Sequence, residues 1–354
     1  MHDMKKDKVR LAVIGTGAWS GAIGNVMVNS NDVDLVTCFD TIPEKREAFG
    51  RKFGCDHETS FENVLKREDV DGVHLTTPNA AHAEQTLLAA SYGKHVFVDK
   101  PLANTIADAN RMIDACRDAN VVLMAGHHLR RLKGFRKIKE LIDNDAIGKV
   151  VQVDANFSQN LGFALTPESF RWCGDDSGCP AGALMTLGIH HADLFNYLFG
   201  PIADVFSFFS KLCIPAPVED VTSTIFRFES GVLGYLGSNY ASPKALWMYI
   251  YGTEANILCT VILQELPFEE YLLRWQAIDQ DTRVELFQKG KTGSTAVSFE
   301  IGNPILEEIN EFAGCIRTGA RPETDGEGAL IALGLIRAAI DSARTGEKTK
   351  ICLE

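Results

Sequence analysis

From residue 8 to about residue 125 the chain alternates short β-type runs with amphipathic stretches, and no other feature constrains the fold as strongly. The runs are KVRLAVIG, VDLVTCFD, DGVHLTTP, KHVFVDKP and NVVLMAG, with helical segments between them. Strands separated by helices predict βαβ units and therefore a parallel sheet covered on both faces. Local chemistry agrees: Pro43 suits a first helical turn, Thr59 and Glu62 suit a capping box, and Gly54 and Gly93 stand where helices should end.

After residue 126 the pattern changes. GFRKIKELIDNDAIG reads as a helix, and in VVQVDANFS the residues Val151, Val153, Ala155 and Phe157 alternate with polar ones, as in a strand with one wet face. TSTIFRFESGVLGYLGSNY reads as two strands around a turn at Glu229-Ser230-Gly231, and ALWMYIYG as another strand. Pro304 to Arg344 returns to helical periodicity, with RTGARPETDGEG as a loop inside it. A chain of 354 residues exceeds the usual size of one hydrophobic core. The expectation is an α/β doubly wound domain over 1-125 and an α+β domain with a large, mainly antiparallel sheet over 126-354.

The formal charge of −12 supplies no basic field for a phosphate backbone, which argues against nucleic acid as a partner. The longest apolar runs fall short of a membrane span and the N-terminus shows no apolar signal segment, so the reading is a cytoplasmic protein. Nine cysteines form no CxxC pair and no zinc-like spacing. They read as reduced, partly buried small hydrophobes; Cys173 and Cys179, close together in a Gly-rich segment, are the one pair with a conceivable redox or metal role, and no further ligand stands at a usual spacing. No metal is expected.

The first strand ends in Gly15-Thr16-Gly17-Ala18-Trp19-Ser20-Gly21. One glycine permits the tight turn, the second admits a pyrophosphate to the backbone, and the following helix N-terminus points free N–H groups at the anion. The second strand ends in Asp40, where the dinucleotide fingerprint places a carboxylate for the adenosine ribose. Such a carboxylate repels a 2′-phosphate, so NAD(H) is favoured, while Lys45 and Arg46 nearby leave NADP(H) possible. Two further loops, Thr76-Thr77-Pro78-Asn79-Ala80-Ala81-His82 and Asp99-Lys100-Pro101-Leu102, end strands at the same ligand-binding edge. Gly15, Gly17, Ala18, Trp19, Ser20, Asp40, Thr77, Pro78, Asn79, His82, Asp99 and Lys100 are accordingly the expected cofactor contacts.

LMTLGIHHADLF reads as a helix with one polar stripe, because Thr186, His190, Asp193 and Tyr197 are spaced by four, three and four. Together the motifs GTGAWSG, TTPNAAH, DKPLA, GHHLRRL and GALMTLGIHHADLFNYLFG resemble the glucose-fructose oxidoreductase and inositol dehydrogenase family, written Gfo/Idh/MocA. The resemblance spans nearly the whole chain. It implies a Rossmann domain, a second domain whose open sheet often mediates homodimers or homotetramers, and NAD(P)-dependent oxidation or reduction of a sugar, inositol or related polyol. It further implies that Lys100 touches nicotinamide ribose and substrate hydroxyl, that His190 faces the reacting carbon, and that Arg131 contacts substrate. His128 and Trp172 are further candidate substrate contacts, and His191, about a quarter-turn from His190, reads as packing or substrate rim.

Hydride transfer at a carbinol carbon needs a proton acceptor on the hydroxyl, and either a histidine or a desolvated lysine can serve. Many family members carry aspartate four residues before the histidine; here that position is Thr186. Threonine supplies no charge, which makes Lys100 the stronger acid/base candidate and leaves Asp193, three residues on, as the group expected to orient His190. Two rivals stand beside the dehydrogenase reading. One is a glycosidase or lyase that oxidises its sugar transiently and retains NAD; the other is a dinucleotide-sensing regulator, against which Lys100 and His190 argue.

Overall fold

The computed structural model describes residues 8–165 and 178–354. Strands β1 (Val9–Ile14), β2 (Val33–Phe39), β3 (Asp56–His57), β4 (Gly72–Leu75), β5 (His95–Asp99) and β6 (Leu123–Gly126) form an all-parallel sheet in the order β3-β2-β1-β4-β5-β6. Helices α1 (Ala18–Val28), α2 (Pro43–Phe53), α3 (Phe61–Lys66), α4 (His82–Ser91) and α5 (Ile106–Asp118) connect them. The order reverses between β1 and β4, so the loops leaving their carboxyl ends flank the crevice where such sheets bind ligands. Leu11, Val13, Val73, Leu75, Val96 and Val98 are fully buried, as strands covered on both faces require.

Helix starts follow local chemistry with one correction. Pro43 opens α2, and Gly54 closes it with φ +70°, a conformation that favours glycine. At α3 the cap is Ser60, whose hydroxyl accepts from the Asn63 backbone N–H at 3.1 Å, rather than Thr59. Thr59 instead accepts from the Asn63 side chain at 3.2 Å, so the one-residue displacement leaves both hydroxyls engaged.

Beyond α6 (Lys133–Asp143) lie β7 (Val150–Ser158), α7 (Ile189–Phe199), β8 (Ile202–Ser210), β9 (Val221–Phe228), β10 (Leu233–Asn239), β11 (Ala245–Gly252), β12 (Ala255–Val261), α8 (Phe268–Arg274), β13 (Thr282–Gln288), β14 (Thr295–Ala296), α9 (Pro304–Thr318), α10 (Gly326–Thr345) and β15 (Thr349–Lys350). The strands make one nine-stranded sheet, β14-β13-β12-β11-β7-β10-β9-β8-β15, antiparallel except where β7 lies parallel to β10. One face is covered by α6, α7 and α10. The other exposes Ile225, Leu233 and Phe208.

The C-terminal helices tie the two sheets together. Helix α9 packs on α1, β1 and β2 of the first sheet, whereas α10 touches α5 and β6 on one side and β8 and α7 on the other. The Ala125 N–H donates to the Thr324 carbonyl at 2.8 Å, which anchors the loop before α10 beside the end of β6. Among the described residues no helix is long and apolar enough to cross a membrane.

The expected single helix over LMTLGIHHADLF is two elements. Leu184–Gly188 forms a π-helical turn and α7 begins only at Ile189. Gly188 permits this, since a Cβ there would come within 2.6 Å of Leu184 Cδ1 and 3.0 Å of Ser238 Oγ on β10. The widened turn takes residue 186 out of the α-helical stacking with residue 190 that its spacing of four implies.

Candidate active site

The glycine loop is built for an anion. Gly15 has φ +87°, and a Cβ there would approach the Thr76 carbonyl oxygen to 2.9 Å, so this position requires glycine. Gly17 has no atom within 4 Å of a Cβ position and opens α1, whose first turn has no acidic residue and no side-chain cap. Uncapped N–H groups beside open space suit a pyrophosphate. Ala18 is exposed at this mouth, and buried Ser20 donates to the Gly17 carbonyl at 2.5 Å, tightening the turn. Asp40 braces the same loop: Oδ2 accepts from the Thr16 N–H at 2.8 Å and the Thr16 hydroxyl at 3.1 Å, and Oδ1 from the Ile42 N–H at 2.9 Å. Arg46 donates to the Asp40 carbonyl at 3.1 Å, which places a guanidinium beside the carboxylate that would meet the ribose.

The two other loops at this edge are locked to each other by His82. Its ring nitrogens each lie 2.9 Å from a carbonyl oxygen, Nδ1 from Pro101 and Nε2 from Thr77, and the ring is buried. His82 is thus a tie between loops rather than the cofactor contact expected of it, and burial holds its pKa below the ordinary histidine value. Thr77 donates to Gln85 at 2.5 Å, Pro78 leads into a short 3-10 turn, and buried Asn79 donates to Cys179 Sγ at 3.8 Å. Cys179 is therefore packed beside the Rossmann loop; Cys173, its proposed companion, lies outside the described residues, as does Trp172. No cluster of metal-ligating groups occurs among the described residues.

Lys100 follows β5 directly and precedes a cis bond to Pro101. Its Nζ donates to the Thr186 main-chain carbonyl at 2.9 Å, joining the parallel sheet to the π turn. Burial pushes the ammonium below the ordinary lysine range, with Asp99 and Cys179 opposing. Asp99 accepts from the Lys100 N–H at 3.0 Å, and burial raises its pKa to about 6. The Thr186 side chain does not turn toward His190: Oγ1 donates to the Gly182 carbonyl at 3.0 Å and is hydrogen-bonded to the Tyr240 hydroxyl.

His190 lies at the start of α7, 3% exposed, with ring centroids 4.8 Å from His128 and 5.9 Å from Phe157. Burial first, then Lys100 and His128, drive its pKa well below the ordinary value. This direction favours the neutral imidazole. Its Nδ1 has no hydrogen-bond partner among the described residues. His128 is likewise lowered, to about 3, mainly by burial, and its ring sits 5.5 Å from Trp19 and 5.1 Å from Trp275. His128 after β6 and Phe157 on β7 thus flank His190, and Trp19 on α1 and Trp275 after α8 extend this aromatic cluster through His128 and Phe157.

Three expected roles are corrected. Asp193 does not orient His190, because both its oxygens are taken by Arg130, Oδ2 from Nε at 3.0 Å and Oδ1 from a terminal nitrogen. Arg131 is no free substrate contact: it pairs with Glu323 at 2.8 Å and with Glu311. His191 is fully buried against Phe195 and Phe157, so it packs rather than lining a rim. Arg130, Trp275 and Tyr240 were missed by sequence reasoning. Arg130 had a signal, its adjacency to Arg131 in GHHLRRL; Trp275 and Tyr240 reach the site only through tertiary packing.

Residues 9–127 match the family described as an oxidoreductase family with an NAD-binding Rossmann fold, and residues 135–258 match the GFO/IDH/MocA C-terminal domain. The chain belongs to the Gfo/Idh/MocA family. A Desulfitobacterium hafniense protein, provisionally described as an NADPH-dependent oxidoreductase, superposes with a TM-score of 0.92 at 32% identity, covering 98% of both chains. The 1,5-anhydro-D-fructose reductase of Ensifer adhaerens is 26% identical over 348 residues, 97% of this chain and 98% of the reductase. The 2,7-anhydro-N-acetylneuraminate hydratase of Mediterraneibacter gnavus is 35% identical over 143 residues, only 40% of this chain and 38% of the hydratase. This Gfo/Idh/MocA protein is an NAD(P)-dependent dehydrogenase or reductase acting on CH–OH groups.

Proposed function

We propose that the protein transfers a hydride between a nicotinamide and the carbinol or carbonyl carbon of a cyclic sugar, inositol or related polyol, with Lys100 as principal acid/base. The observation that carries this reading is the Lys100 Nζ contact with the Thr186 carbonyl, which aims one N–H and leaves the rest of the amine for a substrate hydroxyl. Bound NAD(P) supplies the hydride acceptor or donor. Oxidation needs Lys100 neutral, so that Nζ takes the hydroxyl proton, and burial lowers its pKa in that direction. Reduction needs the same Nζ to return a proton. Neutral His190 presents Nδ1 as a hydrogen-bond group for a neighbouring hydroxyl.

The aromatic cluster favours an uncharged substrate over a sugar acid. Trp19, Trp275 and Phe157 suit the C–H face of a ring, and Arg130 and Arg131 are already neutralised by carboxylates. On the cofactor side Asp40 favours NAD(H), with Arg46 close enough to temper the preference. The exposed apolar face of the nine-stranded sheet supports a homodimer or homotetramer.

A panel of sugars, inositols and sugar acids assayed with NAD+ and NADP+ tests the reading, together with Lys100→Ala. The variant should lose hydride transfer while NADH binding stays within about 3-fold, because the loops at Gly15 and Asp40 carry cofactor affinity. Undiminished turnover by Lys100→Ala would overturn it. The hydratase relative makes one further measurement worthwhile: turnover with retained NAD and no net reduction would mark a transient-oxidation lyase instead.

A further inference from the structure

The π turn has a support that sequence patterning does not show. Tyr240 follows β10 and is held at both ends of its backbone: its N–H donates to the Asp220 carbonyl at 2.9 Å and its carbonyl accepts from the Gly162 N–H at 3.1 Å. Its side chain is 1% exposed and its hydroxyl is hydrogen-bonded to Thr186 Oγ1. That Oγ1 also donates to Gly182 at the base of the turn, and the main-chain carbonyl of the same residue holds Lys100. Two contacts therefore run in series from the end of β10 through Thr186 to the acid/base amine, with the bond to Gly182 bracing the middle residue.

We propose that Tyr240 is a positioning residue for Lys100, its hydroxyl fixing the π turn through Thr186 so that the Thr186 carbonyl holds the Lys100 amine in one direction. A lysine side chain carries several rotatable bonds, and a proton acceptor contributes only when its lone pair points at the reacting hydroxyl. The carbonyl accepts one N–H from either the ammonium or the neutral amine. It fixes direction in both states and supplies no net charge, unlike a carboxylate at position 186. The proposal rests on Lys100 being the acid/base, as assigned above.

The titratable groups facing Lys100 are His82 at the start of α4, Asp99 on β5, His127 and His128 after β6, Cys179, and His190 on α7. Tyr240→Phe changes none of them. Losing a firm acceptor disfavours the ammonium, so the Lys100 pKa should fall. The test is competitive labelling of amines with isotopic acetic anhydride across pH, with Lys100 read by peptide mass spectrometry in the full-length protein. Tyr240→Phe should lower the Lys100 labelling midpoint by about half a pH unit and reduce kcat about 10-fold with KM within about 3-fold.

Thr186→Val should reproduce the lowered midpoint, and Thr186→Ser, which keeps the hydroxyl, should retain the wild-type midpoint. An unchanged midpoint in both Tyr240→Phe and Thr186→Val overturns the proposal whatever happens to kcat. The labelling needs no substrate. A lowered midpoint in a protein that turns over no polyol therefore upholds the positioning role while removing the polyol reading.

Discussion

Replacing Thr186 with aspartate should move the ascending limb of the pH profile for polyol oxidation upward by about one pH unit. The Thr186 carbonyl lies 2.9 Å from Lys100 Nζ, so a charge placed on this residue acts on the amine at short range, although the native hydroxyl turns to Gly182 and Tyr240. A carboxylate about 5 Å from the ammonium, at an effective dielectric near 20, stabilises it by about 3 kcal/mol, or about two pH units. Lys100 is partly accessible, and solvent screening reduces this to about half. The sign follows from the charge: a carboxylate favours the ammonium, raises its pKa, and leaves less neutral amine at a given pH. It would raise the pKa of His190 too, so the direction holds whichever group takes the proton.

The substitution has a structural cost, because Thr186 Oγ1 donates to the Gly182 carbonyl and a carboxylate cannot. That should destabilise the fold by about 1–2 kcal/mol, visible in chemical denaturation and separable from the kinetic effect. The assay is kcat against pH for whichever polyol of the panel turns over, with NADH affinity as a control. A limb that stays put or moves downward would refute the electrostatic argument and remove the residue at position 186 from the control of proton transfer.

Other expectations follow from the same geometry. Asp193→Asn leaves Arg130 charged, with its side chain 7% exposed and only the Glu323 carbonyl and a neutral amide as partners, and should cost about 3 kcal/mol in urea denaturation, whereas a cost below about 1 kcal/mol would mean the charge of Asp193 contributes little to joining α7 to the segment after β6. Gly15→Ala meets both the φ of +87° and the 2.9 Å approach to Thr76, so NADH affinity should fall by about 100-fold or more; near-normal binding would show that the loop adjusts. Acid should destabilise the protein well above the carboxylate range. Burial lowers His74, His128 and His191 to about 3, below their unfolded value, so their stabilising effect is full above pH 6.5 and is lost as pH falls from there toward 3. Between pH 7.5 and 5.5 each should contribute a loss of about 1 kcal/mol, with Asp99, raised to about 6, offsetting about 1 kcal/mol by taking up a proton in the folded state. Urea midpoints at the two pH values measure the net loss, and equal midpoints would contradict neutral buried imidazoles.

Much of the fold was legible because its signals are local. The βαβ rhythm, the glycine loop, Asp40 at the end of β2, Pro43 at a helix start and Gly54 at a helix end are each set by a few neighbouring residues whose backbone geometry permits little else. Periodicity also separated the wet-faced strands of the second sheet from the buried strands of the first. The displaced cap at Ser60 shows the resolution of such reading, since adjacent hydroxyls satisfy the same pattern.

The chemistry of the site was decided elsewhere. Sequence spacing stacked Thr186 on His190 and gave His190 to Asp193, but the π turn rotates residue 186 toward Tyr240, and Arg130 takes Asp193. Neither partner is near in sequence: Tyr240 lies 54 residues from Thr186 and Arg130 63 residues from Asp193. Sequence alone determined that a dinucleotide loop, a lysine and a histidine are present, since backbone conformation and residue type fix those. Only the tertiary structure decided which partner each polar group found, because a buried donor or acceptor bonds to whatever the packing of distant elements brings within about 3 Å.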